Sequence, residues 1–240
     1  MPTRISVCVP AYNEEAVIAE TVAEALETFD QLPGQHELLV VDDGSADRTW
    51  EIIEALAEQD GRLRVFRHSD NRGLAAAQRT LIGNAQGEYI FHIGADREWR
   101  MREMIPMLAA LERGYDICIG VRRDKKYSLG RRIASAGFNW SVALLWGEHF
   151  GDLGSIKLAR ASLWKRIPIR SGSAFVNAER VLIARRNGAR IVKVPVEHTY
   201  RSTGTSKFAS PVQSLRALRD LVRLRFAPAS LYEIPPESPE

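Results

Sequence analysis

Two acidic clusters near the front of the chain each follow directly on an apolar run. Leu38-Leu39-Val40-Val41 leads into Asp42-Asp43-Gly44-Ser45, and Tyr89-Ile90-Phe91-His92-Ile93 leads into Gly94-Ala95-Asp96. Short apolar runs bounded by turn residues read as buried strands. In an open α/β sheet, ligands gather beyond the carboxyl ends of the strands, so carboxylates placed there face a ligand, and the chemistry they suit is the holding of a nucleotide and a divalent cation. The competing use of such residues is to cap the helices that follow. A third segment favours the ligand reading. Val9-Pro10-Ala11-Tyr12-Asn13-Glu14-Glu15 follows the first apolar run, and there a ring can pack on a base or sugar while a carboxylate accepts hydrogen bonds from base or ribose.

Strand-like and helix-like runs alternate around these segments. Strands are expected over residues 5–10, 37–41, 62–67, 88–93 and 116–121. Helices are expected over 14–29, where Val17, Ile18, Val22, Leu26 and Phe29 recur at helical spacing, and over 49–56, 74–84 and 104–112. Repeated βα units predict a mostly parallel sheet with helices on both faces. From about residue 125 the regularity weakens, and the chain there is expected to build an acceptor side instead of simply continuing the sheet.

At 240 residues with 45% hydrophobic content, the chain can bury one large core. Cys8 and Cys118 lie inside apolar runs without a ligand-spaced partner and read as buried thiols of a reducing compartment. The amino terminus shows no charged and then apolar leader, and no stretch approaches the roughly 18 apolar residues of a membrane span. The expected location is cytoplasmic. No G-x-G-x-x-G follows the first strand and no G-x-x-x-x-G-K-[ST] occurs, which disfavours dehydrogenase and P-loop kinase chemistry. The net charge is only +3, but Arg122-Arg123, Lys125-Lys126, Arg131-Arg132 and Arg216, Arg219, Arg223 and Arg225 concentrate it in the second half. Such patches suit phosphates and membrane surfaces; no nucleic-acid-binding motif accompanies them.

The ordered set V-P-A-Y-N-E-E, V-V-D-D-G-S-x-D-x-T, N-R-G-x-x-x-A, G-E-Y-I and the Asp-x-Asp region, over residues 4–207, resembles the family 2 inverting glycosyltransferases. This implies the GT-A (Rossmann-like) α/β fold. Ile119-Gly120-Val121-Arg122, Asp152-Leu153-Gly154-Ser155 and Arg201-x-x-Gly204-x-Ser206-Lys207 resemble, more narrowly, the polyprenyl-phosphate (dolichol-phosphate type) mannose or glucose synthases. The resemblance implies that Pro10, Ala11, Tyr12 and Glu14 surround a nucleotide-sugar donor, that Asp43 reads the base with Asp42 beside it, and that Asp96 holds Mg2+ or Mn2+. Gly94 stands where the family's first metal carboxylate would be, and Glu98, two residues after Asp96, is expected to restore the charge. The departure opens the possibility of a weakened, metal-independent or degenerate sugar-nucleotide-binding protein.

A sugar hydroxyl normally needs a general base, whereas a lipid phosphate is already an anionic nucleophile that needs cations to hold it. Arg122, Arg131, Arg201 and Lys207 are the expected phosphate holders. The resulting expectation is transfer of a hexose, from GDP-mannose first or UDP-glucose second, to a polyprenyl phosphate. The alternative is a soluble glycan or metabolite hydroxyl with Asp152 or Glu179 as base. His198 is left out of the catalytic set, because a lone histidine is more often structural. Residues 133–146, with Trp140 and Trp146, and residues 212–226 read as amphipathic helices suited either to a membrane surface or to packing on the domain. One domain over residues 1–226 is expected, with the donor side to about 121 and the acceptor side beyond it. Residues 227–240 are expected to form a disordered polar tail.

Overall fold

A computed structural model describes residues 3–123, 129–173, 175–199 and 211–235. The first apolar runs become the centre of a seven-stranded sheet. β1 (Thr3–Ala11) lies between β2 (Gln35–Asp42) and β4 (Tyr89–His92), all parallel, and β3 (Leu63–Arg67) extends the sheet beyond β2. Between these strands run α1 (Ile18–Phe29), α2 (Thr49–Ala57) and α3 (Leu74–Asn84); α4 (Met104–Glu112) leads into β5 (Ile117–Arg122). Strand alternation separates two cores. Val7, Val9, Leu38 and Val40 pack toward α1 and α4, while Cys8, Leu39 and Val41 pack with α3 and the later helices. Burial pushes the Cys8 thiol far up and that of Cys118 up to about 12, so neither is a nucleophile.

Beyond residue 125 the structure departs from the sequence reading, because the sheet does continue. After α5 (Leu129–Trp146), β6 (Lys157–Arg160) enters between β4 and β5 antiparallel to both. After α6 (Ala161–Trp164) and α7 (Val176–Arg186), β7 (Ile191–Val196) pairs parallel with β5, giving the order β3-β2-β1-β4-β6-β5-β7. β6 has only four residues, with a lysine at one end and an arginine at the other, which leaves no apolar run to detect. α1 begins at Ile18, four residues later than its periodicity suggested, because residues 14–17 form a turn.

α8 (Pro211–Arg225) packs against α5. The chain after it is not free, as far as Pro235. A 3-10 turn at Ala229–Tyr232 buries Tyr232, whose hydroxyl donates to the Leu224 carbonyl and whose ring lies 3.8 Å from the Arg186 guanidinium carbon. The Arg166 Nε–H donates to the Pro235 carbonyl at 2.7 Å. A tyrosine anchor inside a polar-looking tail supplies burial that composition does not reveal.

Gly44 closes the turn after β2. Its φ is +71°, and a Cβ there would stand 2.3 Å from the Asp70 carbonyl carbon and 2.6 Å from the Asn71 nitrogen, both backbone. Gly61 has open space around the same position. Gly44→Ala is expected to lower the unfolding free energy by about 1–3 kcal/mol, and Gly61→Ala to stay within about 0.5 kcal/mol, both read from urea denaturation.

Candidate functional site

The carboxyl ends of β1, β2 and β4 carry the residues singled out in the sequence, and the structure holds their loops by side-chain bonds to backbone. The turn after β1 is fastened to the turn after β2. Asn13 accepts from the Ala46 N–H, Ser45 Oγ from the Asn13 N–H, Thr49 Oγ1 from the Glu14 N–H and Asp47 from the Glu15 N–H, while Glu15 accepts from the Arg48 N–H. Asn13 takes φ 51°, a left-handed conformation that asparagine tolerates better than most residues. Pro10, Ala11, Tyr12 and Glu14 are therefore delivered together along one rim, Ala11 buried and the others half-buried.

Asp42 and Asp43 are both buried, and each meets its own basic partner from the end of β3. Asp42 accepts from the Ser45 N–H at 3.0 Å and faces Arg67 Nε at 3.5 Å, with the Arg67 guanidinium carbon 5.2 Å from the Trp50 ring centre. Asp43 accepts from the Arg72 and Gly73 N–H groups at 3.1 and 2.7 Å and pairs with His68 Nδ1 at 2.6 Å; His68 Nε2 lies 2.9 Å from Thr80 Oγ1. Asp43 thus fixes the entry to α3 as well as standing at the rim. The sequence reading missed Arg67 and His68; their position directly after the β3 apolar run is the signal that was available.

Asp96 lies in the loop after β4, half-buried, accepting from the Glu98 N–H at 3.3 Å. Around it the loop is pinned. Thr21 donates to the Ala95 carbonyl, Thr199 Oγ1 to the Arg97 carbonyl and the Thr199 N–H to the Glu98 carbonyl, and Arg97 pairs with Glu20 across to α1. Glu98 is buried with its carboxylate 3.5 Å from His198 Nε2, and His198 stacks edge-on to Trp99 at 5.0 Å. A Cβ at Gly94 would stand 3.1 Å from Asp96 Oδ1, so a carboxylate at 94 would share the Asp96 site. Among the described residues no three His, Cys, Asp or Glu side chains gather around one point. The residues present fit a divalent cation held by Asp96 with most of its oxygen ligands drawn from a diphosphate and water.

Trp99 also lies against a buried ion pair. Arg122 Nε faces Asp152 Oδ2 at 3.2 Å, with side chains only 6% and 2% exposed, and the Arg122 guanidinium carbon lies 4.8 Å from the Trp99 ring centre. Beneath it, the Lys157 ammonium donates to the Leu153 and Ser155 carbonyls at 2.7 and 2.9 Å. Burial pushes Lys157 down to about 7; the Asp152 charge opposes that and Arg122 adds to it. Glu179 is buried and accepts from the Arg170 and Ser171 N–H groups; burial raises its carboxyl, and those N–H groups pull the other way. Both acids read as possible bases are therefore committed to structure. Arg201 and Lys207 lie outside the described residues, as does the Arg131 side chain, so Arg122 is the member of the expected phosphate set with a described position.

The pattern of Glycosyl transferase family 2 matches residues 6–182. The undecaprenyl-phosphate 4-deoxy-4-formamido-L-arabinose transferase of Edwardsiella ictaluri (strain 93-146) is 28% identical over 221 residues, 91% of this chain and 66% of its own length. The protein of the same name from Proteus mirabilis (strain HI4320) is 27% identical over 96% of this chain and 71% of its own. The chain thus spans about two thirds of the length of these relatives. Among solved structures, the glucosyl-3-phosphoglycerate synthase of Mycobacterium tuberculosis in complex with Mn2+, UDP-glucose and phosphoglyceric acid superposes with a TM-score of 0.73 at 20% identity, covering 95% of this chain and 82% of that one. The mannosyl-3-phosphoglycerate synthase of Rubrobacter xylanophilus gives 0.71 at 19%, covering 92% and 73%. The sheet and its helices are those of the GT-A fold.

Two expected outcomes follow from the buried charges. Asp152→Asn leaves Arg122 buried without its countercharge and should cost about 3–5 kcal/mol of stability in urea denaturation, whereas the double replacement Arg122→Met/Asp152→Leu should recover most of it. Lys157 gives a pH dependence of fixed sign. Its folded pKa lies below the unfolded value, so above pH 7 the unfolded chain binds the extra proton and stability rises with pH. Between pH 7 and about 8, where unfolded thiols have only begun to ionise, the unfolding free energy should climb, and Lys157→Met should flatten the rise.

Proposed function

Since the chain belongs to glycosyl transferase family 2, we propose that it transfers a sugar from a nucleoside diphosphate donor to a polyprenyl phosphate, with inversion at the anomeric carbon. The observation that carries this reading is the commitment of the two candidate bases. Asp152 is closed against Arg122, and Glu179 is occupied by backbone N–H groups. A hydroxyl acceptor would need one of them; a phosphate oxygen, ionised at neutral pH, needs neither. The names of the relatives, which specify undecaprenyl phosphate, support the same acceptor class.

In the reaction a phosphate oxygen attacks the anomeric carbon from the face opposite the diphosphate, and the bond to the diphosphate oxygen breaks as the new glycosyl bond forms. Tyr12, Glu14 and the Asp42–Asp43 pair line the nucleotide, Asp43 as an acceptor for a ring N–H. Asp96 would hold Mg2+ or Mn2+, which when bound would supply Lewis-acid stabilisation of the leaving diphosphate. Arg122 is the acceptor-side cation: Asp152 and the Trp99 ring hold its guanidinium in place, and such preorganisation makes it effective toward a phosphate. In this reading Asp152 positions Arg122 instead of taking a proton. Arg131, Arg201 and Lys207 complete the proposed phosphate set. GDP-mannose is the first donor proposed and UDP-glucose the second.

A lipid acceptor also requires a face that reaches a membrane. No described helix is long and apolar enough to cross one. Yet every large hydrophobic side chain that stands exposed among the described residues lies on α5, α8 or the 226–231 stretch after α8, including Trp140 at 72%, Leu144 at 84%, Leu215 at 68% and Phe226 at 75%. Segregation of this kind marks an interaction surface, and we assign it to peripheral attachment at the inner face of the membrane.

The test is transfer by the purified protein from a panel of labelled nucleotide sugars, GDP-mannose, UDP-glucose and UDP-4-deoxy-4-formamido-L-arabinose among them, to a short polyprenyl phosphate with Mg2+ or Mn2+. One donor should give a phosphate-linked product; binding of a nucleotide sugar without transfer would favour the degenerate reading. Asp96→Asn should lower kcat about 100-fold or more with unchanged thermal stability. Full activity with unchanged metal dependence would overturn the role of Asp96.

A further inference from the structure

Beside α8 lies a notch of about 310 Å³ lined by none of the described donor-side or phosphate-holding residues. It is lined by Arg170, Arg219 and Arg223, by Ser171 and Gly172, and by the apolar side chains of Phe175, Leu224, Ala227 and Leu231. Two carboxylates also line it, Asp220 and Glu179, and both are already engaged. Asp220 accepts from the Ser171 and Ser173 hydroxyls at 3.0 and 2.7 Å and pairs with Arg219 at 3.1 Å; Glu179 accepts from the Arg170 and Ser171 N–H groups. The Arg170 guanidinium donates to the Leu231 carbonyl. Arg223 is exposed and has no ion-pair partner among the described residues.

The position of the notch on α8 gives it meaning. At 3.6 residues per turn, Ala217, Leu221 and Leu224 form the stripe buried against the body of the protein, and Leu215, Leu218, Val222 and Phe226 form a second, exposed stripe. Arg216, Arg219 and Arg223 run along the exposed stripe as a ridge, and the notch opens on its far side. A phosphate bearing two acyl chains has the complementary shape: charge at one end for guanidinium groups and hydrocarbon alongside for an apolar stripe lying in the interface.

We propose that this notch holds the phosphate of an anionic membrane phospholipid, seating the exposed stripe of α8 in the headgroup region. The proposal rests on the peripheral membrane face assigned above, but its test requires no catalysis. The ridge supplies the general attraction of basic side chains to an anionic leaflet, worth about fivefold in binding per residue. The notch adds a directed contact through Arg219 and Arg223, which Arg216, one turn earlier on the same helix, does not share.

The experiment is sedimentation of the full chain with vesicles of phosphatidylcholine alone and of phosphatidylcholine with phosphatidylglycerol, for wild type, Arg216→Gln and Arg223→Gln. Thermal melting checks that both exposed substitutions leave the fold intact. The expected result is binding to the anionic vesicles, lowered about fivefold by Arg216→Gln and several times further by Arg223→Gln. Equal losses would reduce the notch to part of a diffuse basic surface and overturn the proposal. So would stabilisation by inorganic phosphate alone that depends on Arg223, which would make the ligand a soluble phosphate, or concentration-dependent self-association that buries the stripe without lipid. Anionic-vesicle binding together with failure of transfer to polyprenyl phosphate would retain the notch and remove the acceptor assignment.

Discussion

The carboxylate of Asp43 is the contact on which the donor side of this protein depends. β2 ends in two buried acids, and burial of a carboxylate is tolerated only when its oxygens are satisfied. Asp43 meets that requirement with two backbone N–H groups at the entry to α3 and the His68 ring. The same bonds fix where α3 begins, how the 70–73 loop passes over Gly44, and how the rim of the sheet is shaped. Asp42 does the corresponding work for the turn after β2 by accepting from Ser45, and that turn is in turn stitched to the 13–15 segment. The loops that would receive a nucleotide are thus held by one another, as preorganisation of a charged ligand requires.

The acceptor side is built on a different economy of charge. Arg122, Asp152 and Lys157 sit in the interior, and the Trp99 ring lies against both Arg122 and the His198 of the Glu98–His198 pair. Buried ion pairs seldom add stability compared with apolar packing, and in the proposed reaction the pair is explained by what it orients. The guanidinium held there is fixed before any acceptor arrives. It also leaves Asp152 without freedom to serve as a base, which links the geometry of one ion pair to the class of acceptor.

Much of this was legible in the sequence where chemistry and periodicity coincide. β1, β2 and β4 are apolar runs that end in turns and acids, and their identity and parallel pairing follow from the βα alternation. Past residue 125 the signals fail for identifiable reasons. β6 is four residues long and opens with a lysine that only a completed fold can bury, and β7 carries Lys193 and Pro195 in its middle. Tyr232 anchors a segment whose prolines and glutamates suggest a free tail. His198 gave no local pattern, because its contacts with Glu98 and Trp99 span a hundred residues. Asn13, Ser45, Asp47 and Thr49 belong to motifs visible in the sequence, but their work as clamps between two turns appears only when both turns are in place.

In the proposed reaction the acceptor nucleophile is a phosphate that needs no enzymic base. Its most direct test is the ratio of transfer rates to a polyprenyl phosphate and to the polyprenol of the same chain length, at equal concentration and neutral pH. Glycosylation of the phosphate is expected, with none of the alcohol above the no-acceptor control. Comparable transfer to the alcohol would contradict it and return a carboxylate base to the site.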